Sequence, residues 1–119
     1  MTIEQKTAKI YHICSRSISQ AASAAGEYRA DSLAKEGFIH FSQRHQVLPV
    51  ARAFYAGQPD LVVLVVDPAL LKAELKYEDP IPPLPADSAA KAGSQFPHLY
   101  GPLNFDAVVD IIELADFRE

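Results

Sequence analysis

"EGFIHFSQRHQ", residues 36–46, decides how the rest of the chain is read. Gly37 opens an apolar run in which Phe38, Ile39 and Phe41 have the composition of a short buried strand, yet His40 stands in its middle. Side chains alternate across a strand, so Phe38, His40 and Ser42 share one face and His40 points the same way as Ser42. A buried imidazole needs partners for both ring nitrogens, because an unpaired buried polar group costs about 1–3 kcal/mol. His40 is therefore either a core residue with both nitrogens satisfied or a group that faces a cleft.

Upstream, residues 8–15 alternate as a first strand, with Ile10, His12 and Cys14 on one face and Tyr11 and Ile13 on the other. The period then changes. Ile18, Ala21, Ala22 and Ala25 follow the i, i+3, i+4, i+7 spacing of a helix, with Ser15 or Ser17 as N-cap and Gly26 just past its end. A connector follows, with one helical turn at 31–36 started by Asp31. Residues 1–7 are polar and expected to fray.

Downstream, Val47, Val50, Ala51 and Phe54 mark the inner face of a second helix, with Gly57 ending it. Pro49 is tolerated only in a first turn, so this helix should begin near Gln46. "LVVLVV" at 61–66 is continuously apolar, the pattern of a strand covered on both faces. Asp67-Pro68 breaks it and starts a helical turn through Leu71. Residues 73–79 read as a strand, and residues 80–97 as a long loop with five of the chain's nine prolines, of which 80–96 is expected to form a mobile cover over a site. "HLYG" is a very short strand, and Val108, Val109, Ile111 and Ile112 favour a final strand within 105–117.

The whole is one domain: 119 residues, 13.0 kDa and 49% hydrophobic residues allow one core. A net charge of −4 leaves no basic footprint for DNA and no polybasic patch for a membrane, although a pocket for one phosphate remains open. A single cysteine, Cys14, rules out an internal disulfide and a thiolate zinc cluster, and inside a strand it reads as a small apolar residue. The N-terminus lacks the pattern of a secretory signal and the 61–66 run is too short to span a bilayer, so a cytoplasmic protein is expected.

No phosphate-binding glycine loop, dinucleotide fingerprint, serine-hydrolase elbow, HExxH or CxxC is present. What stands out is the placing of the four histidines. His12 and His40 lie mid-strand among apolar neighbours and His98 opens "HLYG", whereas His45 reads as a surface residue. If their faces converge, His12, His40 and His98 line one concave site with Ser42 and Tyr28 at its rim. Glu78, at a strand end beside the long loop, is a candidate acid or acceptor. Tyr28, Ser32, Gln46 and Tyr100 flank these strands and are structural or ligand-facing on spacing alone. A zinc site of His12, His40 and His98 is the weakest reading, because no close ligand pair such as HxxxH exists.

"IYHI" (10–13), Tyr28, "SL" (32–33), "EGFIHFS" (36–42), Gln46, "LVVLVVD" (61–67), "YE" (77–78), "FPHLYGPL" (96–103) and "AVV" (107–109) occur in an order and spacing that resemble the bacterial family called domain of unknown function 952, over roughly residues 9 to 117. The resemblance implies an α+β, ADP-ribosyltransferase-like fold, a split antiparallel β core with flanking helices and a cleft that holds NAD. It implies His12 as the first-strand histidine that binds a ribose hydroxyl, His40 as the second histidine found in the branch resembling RNA 2′-phosphotransferases, and Glu78 as the nearest match to a catalytic glutamate. Tyr28, Ser32, Ser42, Gln46, His98 and Tyr100 are the candidate cofactor-binding residues. Such proteins often carry a tryptophan after the first strand; this chain has none, and Arg16 or Ile18 stands there.

The implied activity is NAD-dependent ADP-ribosyl or phosphate transfer, or NAD cleavage, with NAD as co-substrate and no metal. The alternative is a binding module that recognises a nucleotide or phosphorylated metabolite without chemistry. Breaking the nicotinamide–ribose bond develops positive charge on the sugar, which negative potential from Glu78 would stabilise. Arg16, Arg29, Arg44 or Arg52 could meet a phosphate. A small-molecule nucleotide is the expected partner, and nothing in the residues supports an RNA or protein acceptor.

Overall fold

The computed structural model describes residues 8–80 and 95–119. Its centre is β4 (Leu61–Val66), flanked by β1 (Ile10–Ser15) and β8 (Val108–Glu113) in an antiparallel sheet of order β1-β4-β8. All six β4 residues are buried, because both faces of the strand are covered. Val62, Leu64 and Val66 pack with Ile10, Cys14, Ile39, Phe41, Leu99 and Leu103, whereas Leu61, Val63 and Val65 pack with Tyr11, Ile13, Val47, Ala51 and Phe117. The continuous apolar run and the expected two faces of β1 follow from this two-sided core.

A second antiparallel sheet, of order β3-β6-β5, is built from β3 (Ile39–His40), β6 (Phe96–Tyr100) and β5 (Glu74–Glu78). β2 (Glu27–Tyr28) and β7 (Leu103–Asn104) form a small third ladder. The two larger sheets meet at one antiparallel bridge, where the Tyr11 and Ser42 amides each donate to the other's carbonyl at 2.9 and 2.7 Å. That bridge explains why the expected strand over 38–42 is only two residues long. Ile39 and His40 pair with β6, Phe41 bonds Pro97, and Ser42 has already crossed to β1, so the segment passes between sheets. β6 is longer than the expected "HLYG", because Phe96 and Pro97 already pair with β5.

Among the described residues three α-helices flank the sheets: α1 (Arg16–Ala25), α2 (Asp31–Glu36) and α3 (Val47–Phe54), the last entered through a 3-10 turn at Arg44–Gln46. The Ser15 hydroxyl accepts from the Ile18 amide at 3.2 Å and caps α1. Gly26 ends it at φ 85°, a left-handed conformation that costs glycine nothing. Gly57 does not end α3, which stops at Tyr55. The apolar stripe of α1 is only partly buried: Ser19 and Ala22 are buried, while Ile18 remains 47% exposed. On α3, Val47, Pro49 and Ala51 are buried and Phe54 is exposed. Both exposed residues belong to the site described next. No helix among the described residues is long and apolar enough to cross a membrane. The expectations of a frayed 1–7 and a covering loop over 80–96 lie outside the described residues, apart from Pro80, Gln95 and Phe96.

Candidate functional site

A cleft of about 860 Å³ opens between α1, α3 and the junction of the two larger sheets. Ile18, Ala21, Ala22 and Ala25 from α1 and Val50, Phe54 and Tyr55 from the α3 side form its apolar walls. Helical periodicity signals an apolar face, but it does not distinguish a face turned to the core from one turned to a cavity. His12, His40, His98, Tyr28, Ser32, Ser42 and Cys14 supply the polar part of the lining. All three strand histidines thus converge. Tyr28 is half-buried, but Ser42 is only 6% exposed and sits in the floor rather than at the rim. The Ser42 backbone is engaged through both its amide and its carbonyl by Tyr11.

His12 is a buried residue whose ring roles are fixed by its partners. Its Nδ1 lies 2.6 Å from the His40 carbonyl, which can only accept, so Nδ1 carries the proton. Burial pushes the imidazole down to about 4, which keeps the ring neutral at pH 7. The bare Nε2 then accepts from the Tyr28 hydroxyl at 2.9 Å. This chain runs from Tyr28 through His12 to the backbone of β3, and it spends both His12 nitrogens. What it offers the cleft is the Tyr28 oxygen, whose lone pairs can accept. Burial also raises the Tyr28 phenol far above its ordinary range, so the hydroxyl stays protonated.

His40 is different. Its side chain is 38% exposed, and Nε2 donates to Glu36 Oε1 at 2.7 Å across the end of α2. The two readings of this histidine resolve into one each for its parts: its carbonyl is structural, holding His12, while its ring lies at the cleft. Glu36 was not singled out from the sequence: the i, i+4 rule applies within a helix, and here Gly37, at φ 91°, ends α2 between Glu36 and His40.

His98 stands opposite His40 in the β3–β6 register. It is 1% exposed and stacks on Phe38 with ring centroids 4.1 Å apart and planes 21° apart. Nδ1 donates to Glu78 Oε1 at 2.8 Å, and the Tyr100 hydroxyl donates to the same oxygen at 2.6 Å. The bonds from Tyr100 and His98 hold the Glu78 carboxyl below its ordinary range, while burial lowers His98. An ionised carboxylate therefore fixes a neutral ring, and His98 Nε2 has no partner among the described residues.

Several expected site residues fall elsewhere. Glu78 and Tyr100 do not line the cleft and reach it only through His98. Gln46 is fully buried and does not line the cleft: Oε1 accepts the Gln43 amide at 2.8 Å and Nε2 donates to the Gln95 carbonyl at 3.0 Å. Ser32 lines the cleft, but its hydroxyl donates to the Phe38 carbonyl at 2.7 Å. Cys14 also lines it, with its thiol pushed up to about 11 by burial, which leaves it protonated and unreactive.

The cations expected for a phosphate are mostly committed. Arg16 binds Asp60 and Glu113, and Arg44 lies over Phe117 at 4.9 Å and donates to the Tyr11 hydroxyl, in the other half of the core. Arg52 is exposed and outside the lining. Among the described residues only Arg29 of these reaches the cleft, paired with Glu27 at 2.6 Å, while Asp31 adds another carboxylate, so that their charged lining is net acidic. Among the described residues no group of three or more His, Cys, Asp or Glu side chains is placed to hold a metal ion.

The family profile described as "Protein of unknown function (DUF952)" matches residues 13–111. A crystal structure of protein CC0527 from Caulobacter crescentus is similar, with 33% identity and a TM-score of 0.73 over 88% of this chain and 84% of that one. A solution NMR structure of CC0527 is similar at 32% identity and a TM-score of 0.62, over 89% and 84% of the two chains. No curated protein matches the chain.

Proposed function

The chain belongs to the family described as protein of unknown function DUF952, and from its cleft we propose that it binds a nucleotide by the ring and ribose rather than by the phosphates, with NAD as the candidate co-substrate for ADP-ribosyl transfer or NAD cleavage. The observation that carries this reading is the lining itself: histidine, tyrosine and serine groups between apolar walls, with Glu27 and Asp31 against a single paired arginine among the described residues. A volume of about 860 Å³ lies within the range of small-molecule sites, roughly 300–1,000 Å³. Hydroxyl groups of a ribose can bond the Tyr28 and Ser42 oxygens, and a flat ring can lie on Ile18 and Phe54. Net negative potential favours the cationic nicotinamide of oxidised NAD and the positive charge that develops on its ribose during cleavage. Phosphates, which find no unpaired cation among the described residues of this lining, would project from the mouth. Phosphate transfer is correspondingly the less supported chemistry. His12 then acts by holding Tyr28 rather than by touching the sugar.

We read the two antiparallel sheets meeting beside this cleft as an ADP-ribosyltransferase-like core. The binding-module alternative is favoured by one observation, that Glu78 stands behind His98 and outside the lining. A thermal-shift series with NAD, nicotinamide riboside, ADP-ribose and ATP, followed by a chromatographic assay for released nicotinamide, tests both. Stabilisation by NAD and nicotinamide riboside above ADP-ribose and ATP is expected. Binding without nicotinamide release favours the module, and preference for ATP contradicts the recognition mode.

A further inference from the structure

We propose that His98 Nε2 is the acceptor this cleft reserves for a hydrogen-bond donor on its ligand, an O–H or N–H of the kind a ribose or a carboxamide carries. The inference rests on the nucleotide reading above and assigns the ligand group that completes it. Three observations point there. His98 Nδ1 is committed to Glu78, which fixes the proton on that side and leaves Nε2 as a lone pair. Nε2 is the only buried side-chain nitrogen or oxygen among the described residues without a partner, and buried polar groups are seldom left so. The residue also lines the cleft, beside a group that has room to move: the half-exposed His40 ring, whose centroid is 5.6 Å away. Glu78 is itself held by Tyr100, so the carboxylate–imidazole pair is oriented before any ligand arrives.

The pair gives a donor more than a bystander contact would. A neutral imidazole backed by a carboxylate is a stronger acceptor than an isolated one, because the positive charge the ring gains on accepting at Nε2 is offset by the Glu78 carboxylate that accepts from Nδ1–H. A ligand that lacks a donor at this point would leave Nε2 as it is in the free protein and gain nothing there. Specificity for a hydroxyl or amide follows from the same asymmetry.

The test uses protein labelled with nitrogen-15 in its histidines and nicotinamide riboside as probe. In the free protein, His98 should give an Nδ1–H, bare-Nε2 tautomer, and titration should move the Nε2 resonance saturably toward a hydrogen-bonded value. His98→Asn keeps a donor for Glu78 but has no atom at the Nε2 position; it should weaken binding at least tenfold. His98→Gln, which places a carbonyl oxygen there, should recover part of the loss. Saturable shifts at His12 and Tyr28 with a static Nε2, or His98→Asn binding like wild type, would overturn the inference while leaving the nucleotide reading in place. No shift at any cleft residue would overturn the nucleotide reading. The inference is then judged on the free protein: a protonated Nε2, or one already bonded to a trapped water, refutes it, and a bare one supports it.

Discussion

Tyr28→Phe removes one oxygen and should reveal how the cleft floor is held. The phenol donates at 2.9 Å to His12 Nε2, and His12 is 7% exposed. Deleting the donor strands a buried lone pair, which costs about 1–3 kcal/mol. For a domain of this size that is roughly 4–12 °C in Tm, taking about 4 °C per kcal/mol. Ring packing is retained, since Phe keeps the contact to the His12 imidazole, whose centroid lies 5.1 Å away. A double-mutant cycle isolates the bond. His12→Asn preserves a donor toward the His40 carbonyl but removes Nε2, so Tyr28→Phe should cost little in that background, giving a coupling of about 1–3 kcal/mol. Urea denaturation of the four proteins measures it. A Tyr28→Phe cost within about 0.5 kcal/mol of zero, or an equal cost in both backgrounds, would refute the relay.

His40→Ala should barely change Tm, because its carbonyl survives and the half-exposed Glu36 pair is worth about 0–1 kcal/mol, yet it should weaken NAD affinity; a large drop in Tm with unchanged affinity would make His40 a packing residue. Acid should unfold the protein by a traceable route. His12 falls from an ordinary 6.5 to about 4 in the fold, so between those values the unfolded chain binds a proton that the native one refuses. Stability is therefore untouched above pH 6.5 and drops by roughly 3 kcal/mol as pH falls through that window, a loss that His12→Asn should flatten. His98 adds in the same direction. Gly101→Ala sets a methyl 2.6 Å from Ala73 Cβ and should destabilise by about 1–3 kcal/mol, with Ala73→Gly restoring most of it in the double mutant; an unaffected Tm would mean that the turn shifts freely.

How far the residues alone disclosed this arrangement depends on the kind of signal. β4 and the two faces of β1 were legible because strand alternation and an uninterrupted apolar run map directly onto a two-sided core. The Ser15 cap and Gly26 stop were legible because each is a local hydrogen-bond or φ requirement. The shortness of β3 was not: "FIHFS" has strand composition throughout, and its transfer from β6 to β1 at Ser42 depends on which strands neighbour it. Phe54 looked like a core residue because periodicity reports a face and not its occupant. Gln46 and Glu78 were placed by position in the sequence, whereas their roles depend on partners 49 and 20 residues away, Gln95 and His98.

The most direct measurement is a nitrogen–proton correlation titration of the labelled protein with NAD. The account predicts saturable shifts that map onto Ile18, Tyr28, His40, Ser42, Phe54 and His98, the residues that line the cleft. Shifts confined to the opposite half of the core, around Arg44 and Phe117, or no saturable shift at all, would contradict it.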